Sequence, residues 1–324
     1  MAFIAPPGYQ PVYNPSVPYV GPIYGGLRER VSVYIQGVIP QDITRFQVNL
    51  QCGEAEGCDI AMHFNPRFDD MDKVVFNSFQ SGSWESEDNV QDMPFSKGQA
   101  FELVIAVTAE GYQVNVNGRQ FHHFAHRVPL DRVSALQISG DVSIQTINII
   151  GGGQRGPQGY PGGMGVRGGW GGMGYPGSNL PMIGGTPNYN PPVPYCEVIP
   201  GGLSPKRTII IRGMLPHGAT RFVLNFKVGG TEDIAFHMNP RVLEGQVVRN
   251  SCLGGTWGQE ERELSHNPFL EGQYFDISVR CGNQRFKVFV NGQHLCDFSH
   301  RFQPFSQINT LEILGDVQLS YVHF

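Results

Sequence analysis

The chain writes one sequence twice, which restricts it to two copies of a single small fold. HFNPR at 63–67 returns as HMNPR at 237–241, and RFQVNL at 45–50 returns as RFVLNF at 221–226. VNVNG at 114–118, FAHR at 124–127 and GDV at 140–142 recur in the same order as VFVNG at 288–292, FSHR at 298–301 and GDV at 315–317. The spacing between copies drifts only where turns are expected: CGEAEGCD at 52–59 is longer than its counterpart VGGTED at 228–233. Insertions confined to turns, with the periodic segments kept, mark a repeated fold.

Each copy consists of short runs rich in Val, Ile, Phe and Thr that alternate with polar residues, as at 31–35, 46–50, 101–107 and 144–150. Gly, Asn, Asp and Pro turns separate them, and the dipeptides Asn117-Gly118 and Asn291-Gly292 are strong hairpin signals. No segment sustains a 3.6-residue apolar period over three turns. Roughly ten short strands per copy predict an all-β chain of two antiparallel β-sandwich domains.

The segments between the copies are different material. Residues 1–18 read as a Pro/Tyr-rich tail, 19–150 as the first domain, 151–195 as a Gly/Pro-rich linker and 196–324 as the second domain. Gly falls at every third position from Gly153 to Gly177, the collagen spacing, but only Pro157, Pro161 and Pro176 lie in that run. A triple helix calls for about 15–20% Pro or more, so a mobile tether is expected instead. YNPSVPY at 13–19 and YNPPVPY at 189–195 echo each other and predict extended, solvated chain.

Composition excludes several classes of function. A length of 324 residues gives room for two cores, and 40% hydrophobic with 16% charged residues fits a globular protein. A net charge of −5 with only 23 Lys+Arg argues against a nucleic-acid partner, which needs clustered positive charge. No run approaches the roughly 18 apolar residues of a membrane span, so no membrane insertion is expected. MAFIAPPGYQP has neither a basic start nor a long apolar stretch, so it does not read as a signal peptide, and a cytoplasmic site of synthesis is expected. Six cysteines without a C-x-x-C pair predict free thiols and no zinc site. His122, His123 and His126 cluster, but only His126 has a counterpart, His300, so no metal is expected. Asp59 and Asp233 read as turn-setting residues, and Trp170 as a linker residue without a role.

The polar strings carry the chemistry. His63, Asn65 and Arg67 alternate, as do His237, Asn239 and Arg241, so each trio projects from one side of a strand. Each is followed by Asn77 or Asn250, and then by a tryptophan with a glutamate, Trp84 and Glu87 or Trp257 and Glu260. Such a face is suited to recognition: amide and charged groups match vicinal hydroxyls, and an indole offers a flat apolar platform. A galactose ring presents both features, because its axial 4-hydroxyl leaves one ring face with a patch of C–H bonds.

The ordered set H-x-N-x-R, V-x-N and W-x-x-E-x-R resembles the carbohydrate-recognition signature of galectins, and the two-copy layout is similar to tandem-repeat galectins. The resemblance covers essentially the whole chain. It implies jelly-roll sandwiches of five- and six-stranded sheets that bind β-galactosides, such as lactose and N-acetyllactosamine-type glycans, without metal or other cofactor. It further implies that His63, Asn65 and Arg67 hold the 4-hydroxyl, Asn77 and Glu87 the 6-hydroxyl, and that Trp84 stacks on the ring. In the second copy these roles fall to His237, Asn239, Arg241, Asn250, Glu260 and Trp257. Galectins are made in the cytosol and exported by a non-classical route, which reconciles the missing signal peptide with glycoprotein and glycolipid partners outside the cell. Self-association is left open.

The copies are unequal. WGQEER at 257–262 completes the signature with Arg262, whereas WESEDN at 84–89 has Asn89 there and Glu85 in place of Gly258. The first domain is therefore expected to bind simple disaccharides more weakly or to prefer a different glycan. Two rival readings stand beside the lectin. A sandwich-type glycoside hydrolase could use Glu85 and Glu87, roughly 7 Å apart on a presumed strand face, but Gly258 breaks that pair in the second copy. A non-lectin interaction scaffold would not need two polar faces of this shape. A bivalent, non-enzymatic glycan cross-linker is the expectation.

Overall fold

A computed structural model describes residues 9–69, 71–151 and 187–324. Trp170 and the glycine run from Gly153 to Gly177, with most of the expected tether, lie outside them. The described chain is nearly all β, in four antiparallel sheets, two per repeat. Its helical residues are two single turns, Leu130–Arg132 and Phe305–Gln307. This is the all-β double sandwich read from the alternation. Among the described residues no helix is long and apolar enough to cross a membrane.

In the first repeat the sheet that will carry the candidate site, the groove sheet, runs in the order Tyr19–Pro22, Ala135–Gly140, Phe46–Gln51, Ile60–Arg67, Lys73–Gln80, Ser83–Trp84, with Asp88–Val90 also pairing Lys73–Gln80. The back sheet runs Tyr9–Tyr13, Ser143–Ile150, Ser32–Val38, Ala100–Val107, Gly111–Val116, Arg119–Ala125. The second repeat follows the same order with two six-stranded sheets. The sheets exceed the five and six strands implied by the resemblance, partly because the Pro/Tyr segments join them. Tyr9–Tyr13 pairs with Ser143–Ile150, and Asn188–Tyr189 pairs with Gln318–His323. The segments expected to be solvated are extended but held: Val12, Val17 and Val193 pack on the cores. Open edge strands present unpaired N–H and C=O groups, and these segments satisfy them.

Alternation fills each sandwich. Phe46, Phe64, Phe76, Phe95 and Phe101 meet inside the first repeat, and Phe222, Phe226, Phe236, Phe275, Phe286 and Phe298 inside the second. The repeated turn motifs have local causes. Asn117-Gly118 and Asn291-Gly292 all have positive φ, as a two-residue hairpin turn requires. In the two GDV strings, Gly140 and Gly315 sit at φ 94° and 99°, and a Cβ there would lie 2.6 and 2.7 Å from the carbonyl oxygens of Arg45 and Arg221. The following Asp141 and Asp316 accept hydrogen bonds from the backbone N–H and hydroxyl of Thr44 and Thr220, which hold both carboxyls below their usual range.

The two repeats do not stand apart. The outer faces of the two back sheets pack on each other, burying Tyr34, Ile150, Ile210 and Tyr321 in one cluster with Val104 beside them. Tyr34 and Tyr321 meet edge to face at 5.8 Å, and the Arg212 guanidinium lies 4.7 Å over the Tyr34 ring. The Ser320 hydroxyl donates to Glu102 at 3.0 Å, the Tyr274 hydroxyl to Asn117 Oδ1 at 3.1 Å, and Gln145 Nε2 to the Tyr274 carbonyl at 3.2 Å. Arg212 and Asp276, both fully buried, face each other at 3.6 Å. Burial pushes the Glu102 carboxyl up, against the pull of Arg212. The described parts of the two repeats form one docked pair, and the tether expected between them lies outside the described residues.

The aromatic stack of Phe236 on Phe286 and Phe298, each at 4.9 Å, makes Phe236 the most informative core position. Phe236→Ala is expected to destabilise the second sandwich by about 3–5 kcal/mol, seen in urea as a transition at lower denaturant. An unchanged urea midpoint would place that ring outside the cooperative core.

Candidate functional site

The antiparallel register of the two central groove strands assembles the site. Ile60–Arg67 pairs with Lys73–Gln80 so that His63 lies opposite Asn77, and Ile234–Arg241 pairs with Gln246–Leu253 so that His237 lies opposite Asn250. Met62 and Phe64 point into the core, which turns His63, Asn65 and Arg67 to the outer face; Phe236 and Met238 do the same for His237, Asn239 and Arg241. His63, Asn65 and Asn77 are nonetheless nearly buried. They form a floor sunk beneath larger side chains, with every inward polar atom tied by hydrogen bonds. A cleft of about 530 Å³ adjoins this floor at His63 and Trp84 and runs from there past Asn49 and Gln51 to Gln137.

The hydrogen bonds fix the state of each histidine. His63 Nδ1 lies 2.7 Å from Asn49 Oδ1, and His237 Nδ1 lies 2.7 Å from Asn225 Oδ1. Asn225 Nδ2 donates to the Glu312 carboxylate at 2.8 Å, so its Oδ1 is the atom turned to the ring. In the first repeat Asn49 Nδ2 donates to Gln137 Oε1 at 2.7 Å. An amide oxygen only accepts, so Nδ1 of each ring carries the proton. Burial, with Arg67 or Arg241 nearby, lowers both histidines to about 4. Each ring is therefore neutral at pH 7, and Nε2 is a bare acceptor. Asn65 Nδ2 donates to the Phe46 carbonyl at 2.6 Å and its Oδ1 accepts from Arg67 Nε at 2.7 Å. Asn239 and Arg241 repeat this at 2.7 and 3.1 Å. The Nε–H of each arginine is thereby fixed on the asparagine between it and the histidine, and its charge is near enough to lower the ring.

The tryptophans form the wall. Trp84 and Trp257 are 51% and 50% exposed, and their ring centres lie 4.8 and 4.9 Å from those of His63 and His237. Asn77 and Asn250 anchor the segment after each tryptophan: their Nδ2 groups donate to the carbonyls of Glu85 and Gly258 at 3.0 and 2.9 Å. Arg127 and Arg301, which sequence reasoning passed over, complete the anchor. Arg127 lies over Phe124 and donates to Asn77 Oδ1 and the Ser86 carbonyl; Arg301 lies over Phe298 and donates to Asn250 Oδ1, the Gln259 carbonyl and Glu261. The signal was present in the repeated FAHR and FSHR strings. Asn49 and Asn225 were likewise missed, although RFQVNL and RFVLNF contain them.

Residues 85–87 do not continue a strand. They lie between Ser83–Trp84 and Asp88–Val90, with the Ser86 carbonyl drawn to Arg127 at 2.8 Å, so Glu85 and Glu87 do not share the strand presumed for a hydrolase. The histidines outside the groove serve the fold. His122 bonds Asp88 at 2.8 Å, while His126 and His300 bond the carbonyls of Thr108 and Gly282. Asp59 and Asp233 accept backbone N–H groups of Ser81 and Gly254, tying the turns before each tryptophan.

The two sites differ where the sequence differs. Arg262 donates through Nε to Glu260 at 2.8 Å, with Nη2 on the same oxygen, and through Nη1 to Gln246 at 3.0 Å. That pair of donors on one oxygen holds the Glu260 carboxyl below its usual range. In the first site Glu87 has Asn89 Nδ2 at 3.3 Å and Arg67 Nη2 at 3.6 Å. Gly258 matters to the anchor too, since a Cβ there would sit 2.6 Å from Arg301 Nη1.

Comparison with known proteins places this geometry in a family. The galactoside-binding lectin family model matches residues 18–149 and 194–324. The chain is 54% identical to human galectin-4, with 99% of each chain covered, and 49% identical to mouse galectin-6, with 100% of each covered. It is 34% identical to rat galectin-8 over 95% of each chain. With two matched domains in tandem and relatives aligned over 99% of each chain, this chain belongs to the galactoside-binding lectin family as a tandem-repeat galectin.

Proposed function

We propose that each groove binds the galactose of a β-galactoside through one hydroxyl shared between histidine and arginine. The observation that carries this reading is the locked neutral imidazole. His63 Nε2 and His237 Nε2 can only accept, while the neighbouring Arg67 and Arg241 can only donate. A single hydroxyl satisfies both, donating to the ring nitrogen and accepting from the guanidinium. The axial 4-hydroxyl of galactose can reach the floor while the C–H face of the ring lies on the half-exposed indole of Trp84 or Trp257. An equatorial 4-hydroxyl points elsewhere and leaves those buried groups unpaired, which costs more than a missing contact. Asn77 with Glu87, and Asn250 with Glu260, stand where the 6-hydroxyl falls in this pose. Lactose and N-acetyllactosamine-type ends of glycoproteins and glycolipids are the ligand class. Two grooves make the protein a cross-linker that binds without turnover, acting outside the cell after non-classical export.

The second site is the stronger for simple disaccharides, because Arg262 fixes Glu260 in place before the sugar arrives. The first site is the more adaptable, with Glu87 held by longer contacts.

The tests follow the chemistry. Full-length protein is expected to bind two lactose molecules by calorimetry; Trp84→Ala and Trp257→Ala each leave one, and the double variant passes through lactose-agarose unretained. Retention of the double variant overturns the assignment. With Trp257→Ala as background, Asn89→Arg is expected to tighten lactose at the first site about two- to fivefold, the range of an exposed ion pair; an unchanged affinity removes the proposed cause of the asymmetry. The histidines predict a split pH response. Their folded values near 4 lie below the ordinary 6.5, so between those limits the unfolded chain takes up protons that the folded chain refuses. Folded stability is complete above about pH 6.5 and declines as pH falls toward 4, while lactose affinity holds over the same window. Affinity lost in step with a histidine titrating near 6.5 contradicts the neutral-acceptor reading.

A further inference from the structure

The docked back sheets have a consequence for what the two grooves can reach. Each groove lies on the outer face of its groove sheet, with its own sandwich core and back sheet beneath it. The two back sheets meet face to face through Tyr34, Ile150, Ile210 and Tyr321. The order of layers is therefore groove sheet, back sheet, back sheet, groove sheet. Packed sheets lie about 10 Å apart, so the two floors are separated by about 30 Å and open in opposite directions.

The seam between the repeats is built as an interior. Gln36 stands opposite Glu102 on neighbouring strands of one back sheet, and Arg212 stands opposite Asp276 on the other. All four are at most 2% exposed. Gln36 Nε2 donates to Glu102 at 2.6 Å, and the same carboxylate oxygen accepts Ser320 from the other repeat. On a solitary sandwich these outward-facing positions would meet water. Here the Arg212 guanidinium lies over the Tyr34 ring of the other repeat and Glu102 accepts a hydrogen bond from Ser320 across the seam, which gives the docking one register. At the margins, Tyr13 of the first repeat lies against Gly292 of the second, where an added Cβ would come within 2.2 Å of its ring. His217 Nε2 and Gln99 Oε1 approach at 3.4 Å at another edge.

From this arrangement we infer that the protein bridges galactoside chains on two apposed surfaces and does not engage two chains on one surface. The inference rests on the galactoside reading of the grooves. Its partner is a pair of facing glycan-bearing membranes or glycoprotein layers, since one planar surface cannot present sugar to two floors that open in opposite directions.

Full-length protein tests this on vesicles and on a supported bilayer carrying a lactosyl lipid, with scattering in solution as an independent arm. Wild type is expected to cluster lactosyl vesicles, yet to leave the planar bilayer at the rate of single-site Trp84→Ala. Ile210→Asp, or Tyr34→Asp on the opposite sheet, places a charge in the seam without touching either core. Each is expected to keep two lactose sites by calorimetry, to show a larger radius of gyration, and to leave the bilayer at least tenfold more slowly as both grooves engage. Wild-type protein leaving the planar bilayer tenfold more slowly than Trp84→Ala overturns the inference, as does an extended, two-body scattering profile for wild type. Absence of lactose heat sinks the galactoside reading instead, while the scattering still reports on the docking.

Discussion

A β-strand has two faces, and the need to cover both organises this protein. The inner faces of all four sheets fill two apolar cores. The outer faces of the groove sheets carry polar residues tied into hydrogen-bonded floors. The outer faces of the back sheets cover each other. Strand geometry thus assigns site, core and seam to alternate residues of the same segments, and a change of register by one residue would exchange them.

Little in the groove floors is free to turn. Glu312 orients Asn225, Asn225 selects the His237 tautomer, and burial keeps the ring neutral. The first floor reaches the same tautomer through Gln137 and Asn49. The second repeat uses a carboxylate and the first an amide for the same orientation. Arg127 and Arg301 set the tryptophan wall from beneath, in each case stacked on a phenylalanine that belongs to the core. The groove surface is therefore an extension of the sandwich interior, which ties its geometry to folding stability.

Unequal grooves on a docked pair give a different kind of valence from two equal sites on a free tether. The glutamate is held differently in each site: Arg262 clamps Glu260 with two N–H groups, and Asn89 supplies one longer contact to Glu87. Under the proposed reading, opposed and dissimilar grooves suit bridging between unlike surfaces.

Much of this was legible in the sequence, for a physical reason. Alternation and turn residues are local, so the duplication, the all-β sandwiches and the polar strand trios could be read directly. His63, Asn65, Arg67, Asn77, Trp84 and Glu87, and their second-repeat counterparts, lie on strands that pair in register or on the segment next to them, and short-range pattern carries that far. Asn49, Arg127, Asn225 and Arg301 come from distant strands and loops, and only folding brings them to the histidine and the tryptophan wall. The break at Glu85–Glu87 arises from a bond to Arg127, which no local pattern encodes. The seam was hidden for the same reason: Gln36, Glu102, Arg212 and Asp276 alternate with core residues as any water-facing positions would. Sequence alone determined what each strand face is made of; tertiary structure decided what each face meets, because burial of a polar residue depends on a partner surface far along the chain.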